Sequence, residues 1–253
     1  MDFCGGTLVG RIDILGIGFD NVDMAEAVAR AESMLEGGSH YIVTPNSEIV
    51  YDCLTNSELR GIINGADMVI PDGAGVVKAS RILETPLKEK VAGVELAENL
   101  LGVLARRGAS LYLLGAKPGI AERAAEKMKT LAPGLVIAGV RDGYFKEDGE
   151  AVEAVRAAAP DVVYVCLGSP RQEQFIAAHL EEMGCHIAIG LGGSLDVFAG
   201  EAKRAPKIFI KLGLEWFYRL LKQPSRLGRM MRLPKFLREV KREKKRRDKE
   251  AKR

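Results

Sequence analysis

No Asp-x-Asp pair occurs in the 253 residues, so the two-carboxylate device that can hold a divalent cation against a nucleotide-sugar is missing. The glycine fingerprint of dinucleotide folds is missing too. G-x-G-x-x-G fails at Gly16 and Gly18, where Asn21 takes the third glycine position, and G-x-x-x-x-G-K-[ST] occurs nowhere. Nicotinamide and P-loop chemistry therefore lose their support. Cysteine is scarce: Cys4, Cys53, Cys166 and Cys185 form no CxxC pair, and Cys53 and Cys166 sit in apolar runs. That pattern argues against a zinc site and for buried thiols in a reducing cytoplasm. The three histidines, His40, His179 and His186, stand where strands begin or helices end and offer no ligand cluster. No run approaches the roughly 18 apolar residues that a bilayer span needs, and no basic stretch with an apolar successor opens the chain. Any membrane contact is expected to be peripheral.

What is abundant is charge, unevenly spread beneath a net +3. Residues 203–253 carry 20 Lys and Arg against 5 Asp and Glu, whereas residues 1–202 carry 17 against 29. A globular body with a separate device for polyanions fits this split, the candidates being nucleic acid, anionic lipid and a phosphorylated substrate. With 47% hydrophobic residues the chain can bury one substantial core. The expected organisation is a main domain over 1–202, an amphipathic Arg-rich appendage over 203–237, and a basic tail over 238–253, solvated and disordered or partly helical, with attraction to acidic lipid as its functional alternative.

Short β-branched runs alternate with helical patterns. The spacing predicts strands over 11–19, 40–44, 67–70, 110–115, 135–140, 161–168 and 186–192, with a first helix from Val22 to Glu36 closed by Gly37 and Gly38. Strands this continuously apolar are covered on both faces, which predicts an α/β, Rossmann-like, doubly wound and mainly parallel sheet. Ligands in such folds bind at the carboxyl ends of the strands. The turn residues gather there, as TPNSE, PDGAG, GAKPG, RDGYF, GSPRQEQ and GGSLD. The alanine-rich helices (Ala121, Ala124, Ala125; Ala157 to Ala159) fit either the core or a contact between subunits, so a homo-oligomer stays open.

Each rim motif has two readings. GAKPG is either a tight β-to-α turn or a phosphate cradle of backbone N–H groups. In PDG, Asp72 is a turn or cap residue, or a general base whose pKa partial burial could raise. GSPRQEQ is a capped helix start with solvated polar residues, or an anion site with Arg171, Gln172 and Gln174 as donors.

The C-terminal region is read in two parts. A helix starting at Pro206 places Lys207, Lys211, Glu215, Arg219 and Lys222 on one stripe, opposite Ile208, Phe209, Leu212, Trp216, Phe217 and Leu220. Beyond it, Arg226, Arg229 and Arg232 recur among Leu227, Met230, Met231, Leu233 and Phe236, a pattern suited to an anionic membrane surface. A nucleic-acid-binding module is the non-enzyme alternative. It leaves the polar rim idle, and aromatics are sparse among the basic positions.

Taken in order, TPNSEIV, ADMVIPDGAGVV, VAGVEL, LYLLGAKPG, RDGYF, VCLGSPRQEQFI, GLGGSLDVFAGEAKRAPKIFIKLGLEWFYRLL and QPSRLGRMMR resemble the WecG/TagA/CpsF family of bacterial glycosyltransferases, from about residue 12 to residue 233. The resemblance implies a metal-independent, inverting transfer of an N-acetylmannosamine-type sugar from a UDP donor to a polyprenyl-diphosphate-linked sugar. In the TagA-like branch the acceptor is undecaprenyl-diphosphate N-acetylglucosamine, in wall teichoic acid synthesis at the inner face of the membrane. The same fold could instead use UDP-N-acetylmannosaminuronic acid or another UDP-sugar, for exopolysaccharide or enterobacterial common antigen. No cofactor and no nucleic-acid partner are implied.

By the same resemblance Asp72 is the base, and Thr44, Asn46 and Gln174 orient donor or acceptor. Arg219, Arg226 and Arg229 would clamp a diphosphate at the active site. The rim positions Gly115, Tyr144, Gly168, Gly193, Ser194 and Asp196 would hold UDP. Lys90 departs from the arginine common before VAG, keeping the charge without a bidentate contact.

Overall fold

The computed structural model describes residues 10–202, 209 and 232–252. At its start, the single strand expected over 11–19 is a hairpin, β1 (Arg11–Ile14) and β2 (Ile17–Asp20), paired antiparallel with Ile14 opposite Ile17. Leu15 and Gly16 both have positive φ, at 55° and 86°, which turns the chain back within two residues. Gly16 N–H also donates to Asp13 Oδ2 at 3.0 Å. An apolar run had hidden this turn, because leucine seldom takes that conformation.

The other strands are β3 (His40–Val43), β4 (Met68–Val69), β5 (Ser110–Gly115), β6 (Val136–Arg141), β7 (Val162–Cys166) and β8 (Ile187–Gly190). They form one parallel sheet in the order β4-β3-β8-β7-β5-β6, as the sequence reading expects for a Rossmann-like fold. Among the described residues the α-helices with both ends defined are α1 (Met24–Ser33), α2 (Ser47–Asp52), α3 (Ser57–Gly65), α4 (Ala74–Ile82), α5 (Gly93–Arg107), α6 (Ile120–Leu131), α7 (Asp148–Ala158), α8 (Arg171–Met183), α9 (Ser194–Phe198) and α10 (Arg232–Glu250).

The two-residue period of the strands sorts the core into layers. Leu111, Leu113, Val162, Tyr164, Ile187 and Ile189 pack with α1, α5, α6 and α9. Their neighbours Tyr112, Leu114, Val163, Val165 and Ala188 pack with α7 and α8 on the opposite face. Ala121, Ala124 and Ala125 fill the core under α6, whereas Ala157 and Ala159 are exposed. A third cluster closes the β4 edge of the sheet, joining the hairpin's Ile14, Ile17 and Phe19 to α2, α3, α4 and α10.

Helix α10 runs across the expected boundary at 237/238 and makes the basic tail continuously helical as far as Glu250. Its apolar residues are few but fall at spacings of three and four. Phe236 and Val240 are fully buried, with Leu233 and Leu237 packed beside them. Ion pairs extend the seam: Arg232 with Asp52 at 2.6 Å, Lys244 with Glu84 at 2.7 Å and Arg247 with Asp13 at 2.5 Å. Pro234 lies in the first turn of the helix as described, a position where proline is tolerated. The helix expected from Pro206 and the arginines Arg219, Arg226 and Arg229 lie outside the described residues.

Candidate active site

Because all six strands of the main sheet run parallel, the loops at their carboxyl ends share one rim. Two of these loops lie side by side after β3 and β4. Thr44 follows β3 and is buried, its Oγ1 donating to the Gly190 carbonyl at 2.9 Å. A Cβ on Gly93 would come within 3.0 Å of the Thr44 methyl, so α5 can start this close only with glycine. Asn46 caps α2: its Oδ1 accepts from Glu48 N at 2.9 Å and Ile49 N at 3.2 Å, leaving Nδ2 as the group able to meet a ligand.

Asp72 is half-buried between β4 and α4. Its strand is anchored from below by the buried Asp20, whose Oδ2 accepts from Val69 N at 2.7 Å while Oδ1 pairs with Arg30 at 2.6 Å. The loop is pinned from the side as Val91 N–H donates to the Pro71 carbonyl at 3.0 Å, which brings Lys90 beside Asp72. Gly73, at φ 103°, would place a Cβ 3.7 Å from the Asn46 Cβ. Thr44, Asn46 and Asp72 are thus drawn to one corner of the rim.

The remaining expected positions spread along the rim from β8 to β6. Gly193 precedes α9, the buried Ser194 donates from Oγ to the Leu191 carbonyl at 2.7 Å, and Asp196 is half-buried. Gly115 ends β5 at φ 128°, where any Cβ would fall 2.3 Å from the Cys166 carbonyl oxygen. Glycine there is a requirement of the β5–β7 approach, whatever it does for a ligand. Gly168, at φ 78°, leads into α8, where Gln174 is half-buried.

Tyr144 is 69% exposed on a loop that is itself held firmly. Gly143 N–H donates to Ala116 O at 2.9 Å, Arg171 Nη1 donates to Gly143 O at 3.0 Å, and the Arg171 guanidinium lies 4.4 Å over the Phe145 ring. Five strand spacings separate β4 from β6, on the order of 24 Å. Asp72 and Tyr144 therefore lie toward opposite ends of the rim, and the sheet does not bring them together.

Two buried polar residues stand beside the expected site, Gln172, which the sequence offers as an anion donor, and Glu173, which it does not single out. Gln172 and Glu173, each 2% exposed, lie in the first turn of α8. Helical spacing gives the signal for Gln172, since positions three and four before Phe175 and Ile176 share their buried face. Burial raises the Glu173 carboxyl above the usual value, against the opposing hydrogen bond from Gln172. The Cys166 thiol, under the same rim, is pushed up to about 12 by burial. It behaves as a packing residue, as do the buried Cys53 and Cys185.

The WecG/TagA/CpsF glycosyl transferase family profile matches residues 12–250. The chain belongs to this family. It is a glycosyltransferase of the hexosyltransferase type. One relative, from Bacillus spizizenii strain W23, is 40% identical over 197 residues, covering 78% of this chain and 77% of its own. Another, from Staphylococcus aureus strain MW2, is 37% identical over 231 residues, covering 90% of this chain and 91% of its own. Both carry the name N-acetylglucosaminyldiphosphoundecaprenol N-acetyl-beta-D-mannosaminyltransferase. In this glycosyltransferase no group of three or more His, Cys, Asp or Glu side chains converges among the described residues. No helix among them is long and apolar enough to cross a membrane.

Proposed function

We propose that the chain moves N-acetylmannosamine from a UDP donor to undecaprenyl-diphosphate-linked N-acetylglucosamine, an early step in a wall teichoic acid type of polymer. The observation that carries this reading is the shared name of relatives that align with most of the chain. The half-buried Asp72, placed beside Asn46 and Lys90 at the mouth of β4, supports a general base at that corner.

In the proposed step an acceptor hydroxyl oxygen bonds to the anomeric carbon from the face opposite UDP. Asp72 takes the hydroxyl proton, and the anomeric C–O bond breaks with its electron pair leaving on UDP, so configuration inverts. Asn46 through Nδ2 and Gln174 orient the sugars, while Thr44 shapes the floor. Gly115, Tyr144, Gly168, Gly193, Ser194 and Asp196 line the path of the UDP. Arg219, Arg226 and Arg229 neutralise the leaving diphosphate without a metal, the role of preorganised cations at developing charge.

The lipid-linked acceptor supports peripheral attachment at the inner face of the bacterial membrane. The outward face of α10, with Lys235, Arg238, Lys241, Arg242, Lys245, Arg246 and Lys249 exposed, suits an anionic surface. The test is mass analysis of lipid product after incubating the full chain with a panel of UDP-sugars and a polyprenyl-diphosphate N-acetylglucosamine acceptor. A gain of one N-acetylhexosamine from UDP-N-acetylmannosamine is expected; a product formed only from the uronic acid donor would replace the proposed one.

A further inference from the structure

The Gln172–Glu173 pair has a geometry that packing alone does not account for. Gln172 Nε2 donates to Glu173 Oε1 at 2.9 Å, and Gln172 Oε1 accepts from Gly192 N at 2.8 Å. Among the described residues Glu173 Oε2 is buried with no hydrogen bond of full geometry, the Ser169 hydroxyl lying near enough only to oppose the upward push of burial on the carboxyl. A buried carboxylate oxygen so weakly paired is a cost that leucine or methionine at the same place would not carry. What the carboxylate does supply is direction. Its Oε1 accepts from Gln172, so the Gln172 amide must turn its nitrogen toward Glu173 and its oxygen toward Gly192.

The fit around that amide is close. A Cβ on Gly190 would lie 3.0 Å from Gln172 Nε2, so the last residue of β8 must be glycine for the amide to lie there. The carbonyl of the same Gly190 receives the Thr44 hydroxyl. Gly192 itself has φ 55°, a left-handed conformation held by the Gln172 bond. One buried chain of contacts therefore runs from Glu173 through Gln172 to the turn 192–194.

We propose that Glu173 is a positioning residue: it orients the Gln172 amide, which fixes Gly192 and so sets the turn carrying Gly193 and Ser194 for the nucleoside diphosphate. The assignment rests on the donor site given under the proposed function. Glu173 touches neither donor nor acceptor; its effect passes entirely through Gln172.

Glu173→Leu keeps the burial and removes the acceptor, whereas Glu173→Gln keeps an oxygen for Gln172. The expected result is a rise of about tenfold in donor KM and in the UDP dissociation constant for Glu173→Leu, with kcat within about threefold of the native chain. Glu173→Gln should restore both to within about threefold. Unchanged UDP affinity in a folded Glu173→Leu chain, or a fall in kcat with KM unaltered, overturns the proposal. If Glu173→Leu does not fold, Gln172→Met carries the same expectation, and unchanged UDP affinity there overturns it equally. If the native chain itself does not bind UDP, the donor reading falls instead. The link is then tested by hydrogen exchange at the Gly192 amide, which should quicken about tenfold in Gln172→Met; unchanged exchange overturns the link.

Discussion

Glu173 at the rim and Glu243 on α10 are the same residue in opposite settings. The first is 2% exposed and its carboxyl is raised by burial. The second is lowered to about 2, chiefly by hydrogen bonds from Arg246 and Arg247. At the rim a carboxyl is withheld from water with no cation among the described residues to meet it, whereas α10 surrounds four acidic residues with ten Lys and Arg. Part of the helix's positive charge is spent within the chain. Arg232, Lys244 and Arg247 pair with the body, and Arg242, Arg246 and Lys244 pair along the helix. The charge imbalance in the sequence thus overstates what faces outward, and the body-facing side of α10 is a structural seam.

Ending the chain at Ala202 tests that division most severely, since it removes α10 together with Arg219, Arg226 and Arg229. Transfer should fall below detection, and the melting temperature should drop as Ile14, Phe19 and Val50 lose their cover. Phe236→Ala isolates the seam while leaving every charge in place. It should cost about 3–5 kcal/mol, read as a melting temperature lower by roughly 6–20 °C. At the rim, Gly115→Ala should cost about 1–3 kcal/mol, because the new methyl meets the Cys166 backbone at a positive φ. Arg232→Ala should cost about 1 kcal/mol, since both partners of the Arg232–Asp52 pair keep partial contact with water.

The smallest expected effect is a pH dependence. Glu243 titrates lower in the folded chain than its ordinary value of 4.5, so its contribution to stability is present above pH 4.5 and lost as pH falls through about 2. Melting curves of the native chain and Glu243→Gln should therefore differ at pH 6 and converge near pH 2. Curves that differ equally at both would show that Glu243 contributes by packing.

The parallel sheet was legible because its strands are continuous apolar runs with turn residues at each carboxyl end. The rim motifs followed from that placement. The hairpin was not legible: Leu15 takes a left-handed turn that its residue type does not advertise. That α10 packs on the body was hidden for a related reason, since over 238–253 composition points to a solvated segment. Val240 stands there among charged residues, yet it is fully buried four residues after Phe236. Asp72, Asn46 and Thr44 could be named from motif order, but their contacts could not. That Thr44 spends its hydroxyl on Gly190, and that Gln172 reaches Gly192, depends on β3 and β8 being neighbours, which the sequence order does not reveal.

The proposed transfer places its chemistry at the corner built by β3 and β4, with Asp72 as the base. Pre-steady-state turnover of UDP-N-acetylmannosamine on a lipid-diphosphate N-acetylglucosamine acceptor, compared between the native chain and Asp72→Asn, tests it directly. The account predicts a fall in kcat of about 10²–10⁴-fold, with UDP affinity and melting temperature preserved. Native turnover in Asp72→Asn would contradict it.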